Sequence, residues 1–247
     1  MLTFLQSPQR YWLIALWLLW AIFLFGGFIF GKESGTHRMP SWTRMASSAT
    51  LVLAGWSWFL IAPQTAARPY ALLIAVGMSF GFLGDLILAG YLPGGRNVLA
   101  GMIAFGIGHI FYIIAILRYS NTLGFTDPTK RWGALVLWLV IAALIWYFLI
   151  FRGQEVGTLH YAALPYALLL ASTTGFAMGL ALQSPLFWGL AVGAALFLAS
   201  DLILAAQLFT DFSFRSIGDV IWLTYGPGQM LIVYSVAAAI RSVTQGS

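Results

Sequence analysis

Residues 69–89 read PYALLIAVGMSFGFLGDLILA, a stretch long and apolar enough to cross a bilayer as one helix, with a single carboxylate, Asp85, inside it. Residues 185–205, PLFWGLAVGAALFLASDLILA, repeat the same frame. At a constant offset of 116 they share Pro69/Pro185, Ala75/Ala191, Val76/Val192, Gly77/Gly193 and the Asp-Leu-Ile-Leu-Ala runs that begin at Asp85 and Asp201. A carboxylate at the centre of a hydrocarbon layer costs about 2.5 to 3.5 kcal/mol on insertion scales. Two at matched positions therefore point to one shared site, and a Pro, a Gly and an Asp held in register indicate an internal duplication.

Composition explains why the setting must be hydrocarbon. Hydrophobic residues make up 61% of the 247, charged residues 8%, and mean hydropathy is +0.89. A soluble domain of this length cannot bury so much apolar surface, whereas each bilayer span consumes about 20 such residues. The apolar runs predict eight helices, at 11–30, 45–62, 71–90, 98–118, 132–151, 161–181, 186–208 and 220–240. The first is too long for a signal-peptide core and is expected to stay as a span.

The expected fold is thus an all-α membrane protein, an eight-transmembrane-helix bundle forming a single integral domain over 1–247. The repeat falls on the third and seventh helices. An even separation of four means that both run the same way through the bilayer, which implies a four-plus-four parallel repeat with halves of roughly 1–125 and 126–247.

A net charge of +5 could suggest nucleic acid, but nearly every Lys and Arg sits at the edge of an apolar run, where it meets membrane lipids. Arg10, Arg68, Arg118, Lys130, Arg131 and Arg241 fall on one side; Lys32, Arg38, Arg44, Arg96, Arg152 and Arg215 fall on the other. That tie leaves the orientation open. Tyr11, Trp12, Tyr91, Tyr119, Trp132 and Tyr161 sit at span ends, as interfacial aromatic belts do. Cysteine is absent, which removes disulfides and thiolate chemistry.

Polar groups inside the spans are the candidate site. His109 follows Asp85, and Tyr225 follows Asp201, each by 24 residues, so the four are expected to converge. His109 and Tyr112 share a helix face at i, i+3. In Tyr225-Gly226-Pro227-Gly228-Gln229, Pro227 is expected to interrupt the eighth helix, with Tyr225 and Gln229 flanking a wet cavity. Plainer readings stand beside these: an intramembrane Asp can be hydrogen-bonding glue, His109 and the tyrosines can be satisfied core residues, and the glycines can serve close helix contact. No phosphate-binding Gly-Lys-Ser/Thr loop, Gly-x-Ser-x-Gly elbow or His-Glu-x-x-His is present. No metal or other cofactor is expected, although Asp85, Asp201 and His109 are the residue types that could hold one.

At these residues the chain resembles the lysoplasmalogenase family, the YhhN-like integral membrane proteins. The likeness rests on Gly77 to Leu88 with its Gly-Asp, on Phe105, Gly108, His109 and Tyr112, on Phe197, Ser200, Asp201, Leu204 and Ala205, and on Tyr225 with Gln229. Departures are Gly81, where the family often has Ser, Gly226, where it has a second Tyr, and Met39 before Pro40, where it has Lys.

The resemblance implies a multi-pass enzyme of the cell membrane, with a lysophospholipid substrate. It would hydrolyse the vinyl ether bond of a lysoplasmalogen to a fatty aldehyde and a glycerophospho-alcohol. Such cleavage starts with proton transfer to the alkenyl β-carbon, which leaves an oxocarbenium ion for water to attack. One carboxyl must be an acid and the other an anion, and two in one apolar cavity supply that division. Asp85, Asp201, His109 and Tyr225 are the catalytic candidates; Tyr112, Ser200 and Gln229 are the positioning ones. A proton-coupled transporter or channel would use the same intramembrane aspartates and a broken helix, and a structural scaffold is the third reading.

Overall fold

Helix ends follow the capping chemistry of the chain. Asn97 Oδ1 accepts from the Ala100 N–H at 2.9 Å to open the fourth helix, and Asp127 Oδ1 accepts from Lys130 N–H at 3.1 Å to open the fifth, with Pro128 at its first position. Gly90 closes the third helix in the left-handed region, at φ +76°, while the N–H groups of Gly90 and Tyr91 reach back to Ile87 and Leu86. The equivalent position in the second Asp segment is Ala206, and there the helix continues to Phe209.

The computed structural model describes residues 4–32, 34–152, 157–210 and 212–245. Among them the chain forms eight helices: α1 (Ser7–Phe30), α2 (Ser41–Ile61), α3 (Ala67–Ala89), α4 (Val98–Thr122), α5 (Pro128–Phe151), α6 (Thr158–Ala181), α7 (Pro185–Phe209) and α8 (Ile217–Thr244). No β-strand occurs among the described residues; Ser34 and His37 make one isolated bridge. All eight expected runs are helical, and seven helices are long and apolar enough to span a membrane. The remaining one, α2, has 21 residues but carries Arg44, Ser47, Ser48 and Thr50 in its first half.

One hydrophobic core takes residues from every helix, among them Leu13, Leu51, Ile74, Tyr112, Leu135, Leu170, Leu190 and Ile232. The outer surface is apolar too. In α5 only 17% of the most apolar window is buried, against 56% in α6, so α5 is peripheral and α6 central. The exposed face of α5 carries Val136, Leu137, Val140, Leu144 and Phe148. A surface of this kind is what lipid covers, and the protein fits a multi-pass membrane protein.

Two glycine pairs set close helix crossings. A Cβ on Gly77 would stand 3.0 Å from the Gly108 carbonyl, and one on Gly108 would stand 2.8 Å from the Gly77 carbonyl. Gly193 and Gly228 stand in the same relation, at 2.8 and 2.9 Å. Backbone therefore meets backbone where α3 crosses α4 and where α7 crosses α8.

Two expectations are corrected. α8 is not interrupted at Pro227: it stays helical from Ile217 to Tyr234 and loosens into a turn only at Ser235. Proline removes one hydrogen bond, and packing of Leu24 over Gly226 and of Gly193 over Gly228 holds the turn on both sides. Tyr119 is not an interfacial anchor. It is 2% exposed, and its hydroxyl donates to the Ala239 carbonyl at 2.8 Å, whereas Tyr11, Trp12, Tyr91, Trp132 and Tyr161 are exposed as expected.

Candidate active site

Asp85 lies one turn before the end of α3, and Asp201 two turns before the end of α7. Both line a single cavity of about 610 Å³. Its walls come from the C-terminal ends of α3, α5 and α7 and the N-terminal parts of α2, α4, α6 and α8, so it sits at one end of the bundle. Most of the lining is apolar, with Leu88, Leu198, Leu202, Leu204 and Ile221 among it.

The two carboxylates are held differently. Asp85 is buried, and its Oδ2 accepts from two hydroxyls, Tyr225 at 2.9 Å and Ser48. Behind Tyr225 the donors continue in one direction: Tyr112 OH donates to Gln229 Oε1 at 2.9 Å, and Gln229 Nε2 donates to Tyr225 OH at 3.3 Å. Gly81 leaves room for this chain, because a Cβ there would come 2.8 Å from Gln229 Nε2. Asp201 is half-buried, and its donors are divided between its oxygens. Tyr166 OH bonds Oδ2, and Ser200 Oγ, which also donates to the Phe197 carbonyl at 2.7 Å, stands 3.2 Å from Oδ1. The rings of Phe105, Phe197 and Trp222 pack edge-on around Tyr225, at centroid distances of 6.0, 5.2 and 5.2 Å.

The expected convergence of four groups holds for three. Asp85, Asp201 and Tyr225 line the cavity, as does Ser200. Tyr225 bonds Asp85 rather than Asp201. Tyr112 and Gln229 stand behind the cavity wall and are linked to it by the hydrogen bond to Tyr225. His109 does not join. It is 2% exposed, its Nδ1 lies 2.9 Å from Thr173 Oγ1, its Nε2 has no hydrogen-bond partner among the described residues, and its ring packs on Phe197 at 4.5 Å.

The cause is helix register. His109 follows the Gly108 crossing by one residue, as Gln229 follows the Gly228 crossing, whereas Tyr225 precedes Gly228 by three. Equal spacing along the chain had concealed a difference of one turn. Among the described residues no three His, Asp or Glu side chains cluster as metal ligands, so Asp85, Asp201 and His109 do not meet at a point.

Three groups were not expected. Ser48 comes from the polar stretch of α2, and Tyr166 follows Pro165 in α6. Asp219, in the first turn of α8, is fully buried and accepts from the backbone N–H groups of Arg38 at 2.7 Å and Met39 at 3.0 Å. With the Gly218 N–H donating to the Thr36 carbonyl at 2.9 Å, this ties the α1–α2 loop across the mouth of the cavity, which Thr36 and His37 line.

Comparison with curated proteins and with solved structures gives no match. Residues 41–236, from the first residue of α2 to the last part of α8, match the model of the YhhN family. The chain therefore belongs to the YhhN family, which includes lysoplasmalogenases and is associated with hydrolase activity.

Proposed function

We propose that the protein is a lysoplasmalogenase of the cell membrane that hydrolyses the vinyl ether bond of alkenyl lysophospholipids. The observation that carries this reading is the placement of Asp85 and Asp201 on one apolar cavity, each gripped by a tyrosine. Both donors to Asp85 fall on Oδ2, so Oδ1 has no donor among the described residues and is the atom from which a proton can be delivered. Asp201 accepts from Tyr166 on Oδ2, and Ser200 Oγ, which shares its one proton between the Phe197 carbonyl and Oδ1, approaches the other oxygen, an arrangement that suits an anion.

Asp85 protonates the β-carbon of the alkenyl ether, and the C=C electron pair forms the new C–H bond. The positive charge left on the α-carbon and ether oxygen is stabilised by the Asp201 carboxylate. Water adds to the α-carbon and gives its proton to Asp201. The resulting hemiacetal then collapses: its hydroxyl proton leaves, the ether oxygen is protonated as the C–O bond breaks, and aldehyde and glycerol hydroxyl separate. A net proton shift from Asp201 to Asp85 restores the starting state.

The four-plus-four parallel repeat is part of the same proposal. The matched Asp segments and the matched Gly77/Gly108 and Gly193/Gly228 crossings support it.

The test is aldehyde release by purified protein in detergent from a panel of alkenyl and acyl lysolipids. Alkenyl lysolipids are expected to yield aldehyde, and acyl ones to be left intact. Asp85→Asn and Asp201→Asn should each lower turnover by about 100-fold or more. Because detergent offers no second compartment, lipid consumption there also separates hydrolysis from proton-coupled transport. Near-normal rates in both single variants would overturn the mechanism.

A further inference from the structure

The Asp pair leaves the outer end of the cavity unexplained, and that end is cationic. Arg44, Arg96 and His37 line it, on residues of α2 and of the loops before α2 and α4. The other basic residues of this end do not line it: Arg38, for one, lies over the Phe28 ring and donates to the Ile29 carbonyl at 3.4 Å. Arg44 is held in place from two sides, by Ser41 Oγ, which accepts from Nη2 at 2.9 Å, and by the Trp222 ring, 5.6 Å from the guanidinium carbon to its centroid. Its Nε is buried with no hydrogen-bond partner among the described residues.

Neither Arg44 nor Arg96 has a carboxylate within ion-pair distance among the described residues. The two positive charges nonetheless lie near enough to act on one another. Asp219 and Asp85, both beyond ion-pair distance, attract Arg44 more strongly than Arg96 repels it, but Asp219 is already engaged by the Arg38 and Met39 amides and Asp85 by the Ser48 and Tyr225 hydroxyls. Like charges brought together at a cavity mouth, with donors unspent, form a place for an anion.

Spacing says which anion. Arg44 precedes Ser48 by one turn, about 6 Å along the helix axis, and Ser48 holds Asp85. In a glycerophospholipid the ether oxygen and the phosphorus are separated by the glycerol carbons and one oxygen, also about 6 Å at ordinary bond lengths. We propose that Arg44 and Arg96 form a subsite for the phosphodiester of a lysophospholipid head group, which sets the depth of the ether bond beside the Asp pair and the chain among the cavity leucines. This inference rests on the lysolipid reading of the cavity.

The first arm is kinetic. It compares kcat/KM for an alkenyl lysophosphatidylcholine with that for the phosphate-free 1-alkenylglycerol, in wild type, Arg44→Gln and Arg96→Gln. The ratio should fall about tenfold or more in Arg44→Gln, and also fall in Arg96→Gln, whose exposed loop position makes it the variant to rely on if Arg44→Gln does not fold. Arg118→Gln, exposed at the opposite end of the bundle, should leave the ratio unchanged.

The second arm needs no turnover. It measures binding of a non-hydrolysable 1-O-alkyl lysophosphatidylcholine, and of inorganic phosphate, to the same proteins by calorimetry. Binding of the alkyl lipid that weakens in the arginine variants upholds the subsite even if wild type releases no aldehyde, in which case only the proposed reaction fails. Equal losses on both kinetic substrates, or unchanged alkyl-lipid binding in both variants, would overturn the subsite. Inorganic phosphate binding more tightly than the lipid would overturn its assignment to a head group.

Discussion

Asp85 is buried in an apolar helix and held by two hydroxyls on one oxygen, so those hydroxyls are the cheapest means of perturbing it. Tyr225→Phe removes a donor from Asp85 and also the acceptor of Gln229 Nε2, and leaving such buried groups unmatched costs about 1–3 kcal/mol each. We expect turnover of alkenyl lysolipid to fall about tenfold or more in Tyr225→Phe, with the protein still folded by thermal denaturation in detergent. Tyr166→Phe should act likewise through Asp201. Wild-type rates in both would remove the tyrosines from the site. The aspartates were legible in the sequence because a charge in an apolar run has few innocent explanations. Ser48 and Tyr166 were not, since hydroxyls are common in spans and their partners depend on how helices pack. His109 misled for a related reason: distance along the chain says nothing of rotation about the helix, and the side chain turns to Thr173.

Helices are placed by their glycines, and that makes the crossings brittle. A Cβ at Gly193 would meet the Gly228 carbonyl at 2.8 Å and the Ile232 nitrogen at 3.1 Å, both backbone atoms that cannot rotate aside. Gly193→Ala should therefore destabilise the protein by about 1–3 kcal/mol, the usual cost of overpacking; a lowered midpoint of thermal unfolding in detergent checks it, and an unchanged midpoint would show that α7 and α8 can separate freely. Gly81→Ser is expected to be milder, because the contact there is the end of the Gln229 side chain. The periodicity of apolar runs gave the existence of all eight helices, and turn chemistry at Gly90, Asn97 and Asp127 accounts for where several of them stop and start. Register between neighbours was hidden, because it is decided by which small residues meet. The Gly226 departure from the family pattern also became readable only in three dimensions: a π-helical turn over Ile22–Gly26 of α1 carries Leu24 onto that glycine.

At the scale of the molecule, the alternation of helices brings the ends of seven helices, α2 to α8, together around the cavity, while α1 and α5 turn apolar faces outward. On the proposed reading substrate and water enter from the end that carries Arg44 and Arg96, since the opposite end is where Tyr70, Tyr119 and Phe187 pack together in the core. The absence of cysteine makes this accessible to experiment. Ala205→Cys places a thiol on the cavity wall, Arg118→Cys places one on the far end of α4, and Leu137→Cys places one on the exposed apolar face of α5. In sealed vesicles of one orientation, a membrane-impermeant maleimide should label Ala205→Cys and Arg118→Cys from opposite sides and leave Leu137→Cys unmodified from either. Addition of 1-O-alkyl lysophosphatidylcholine should slow labelling of Ala205→Cys alone, because only that thiol shares its space with the ligand. Labelling of Ala205→Cys and Arg118→Cys from the same side would mean that the cavity opens at the other face, and the entry route would have to be redrawn through the bundle.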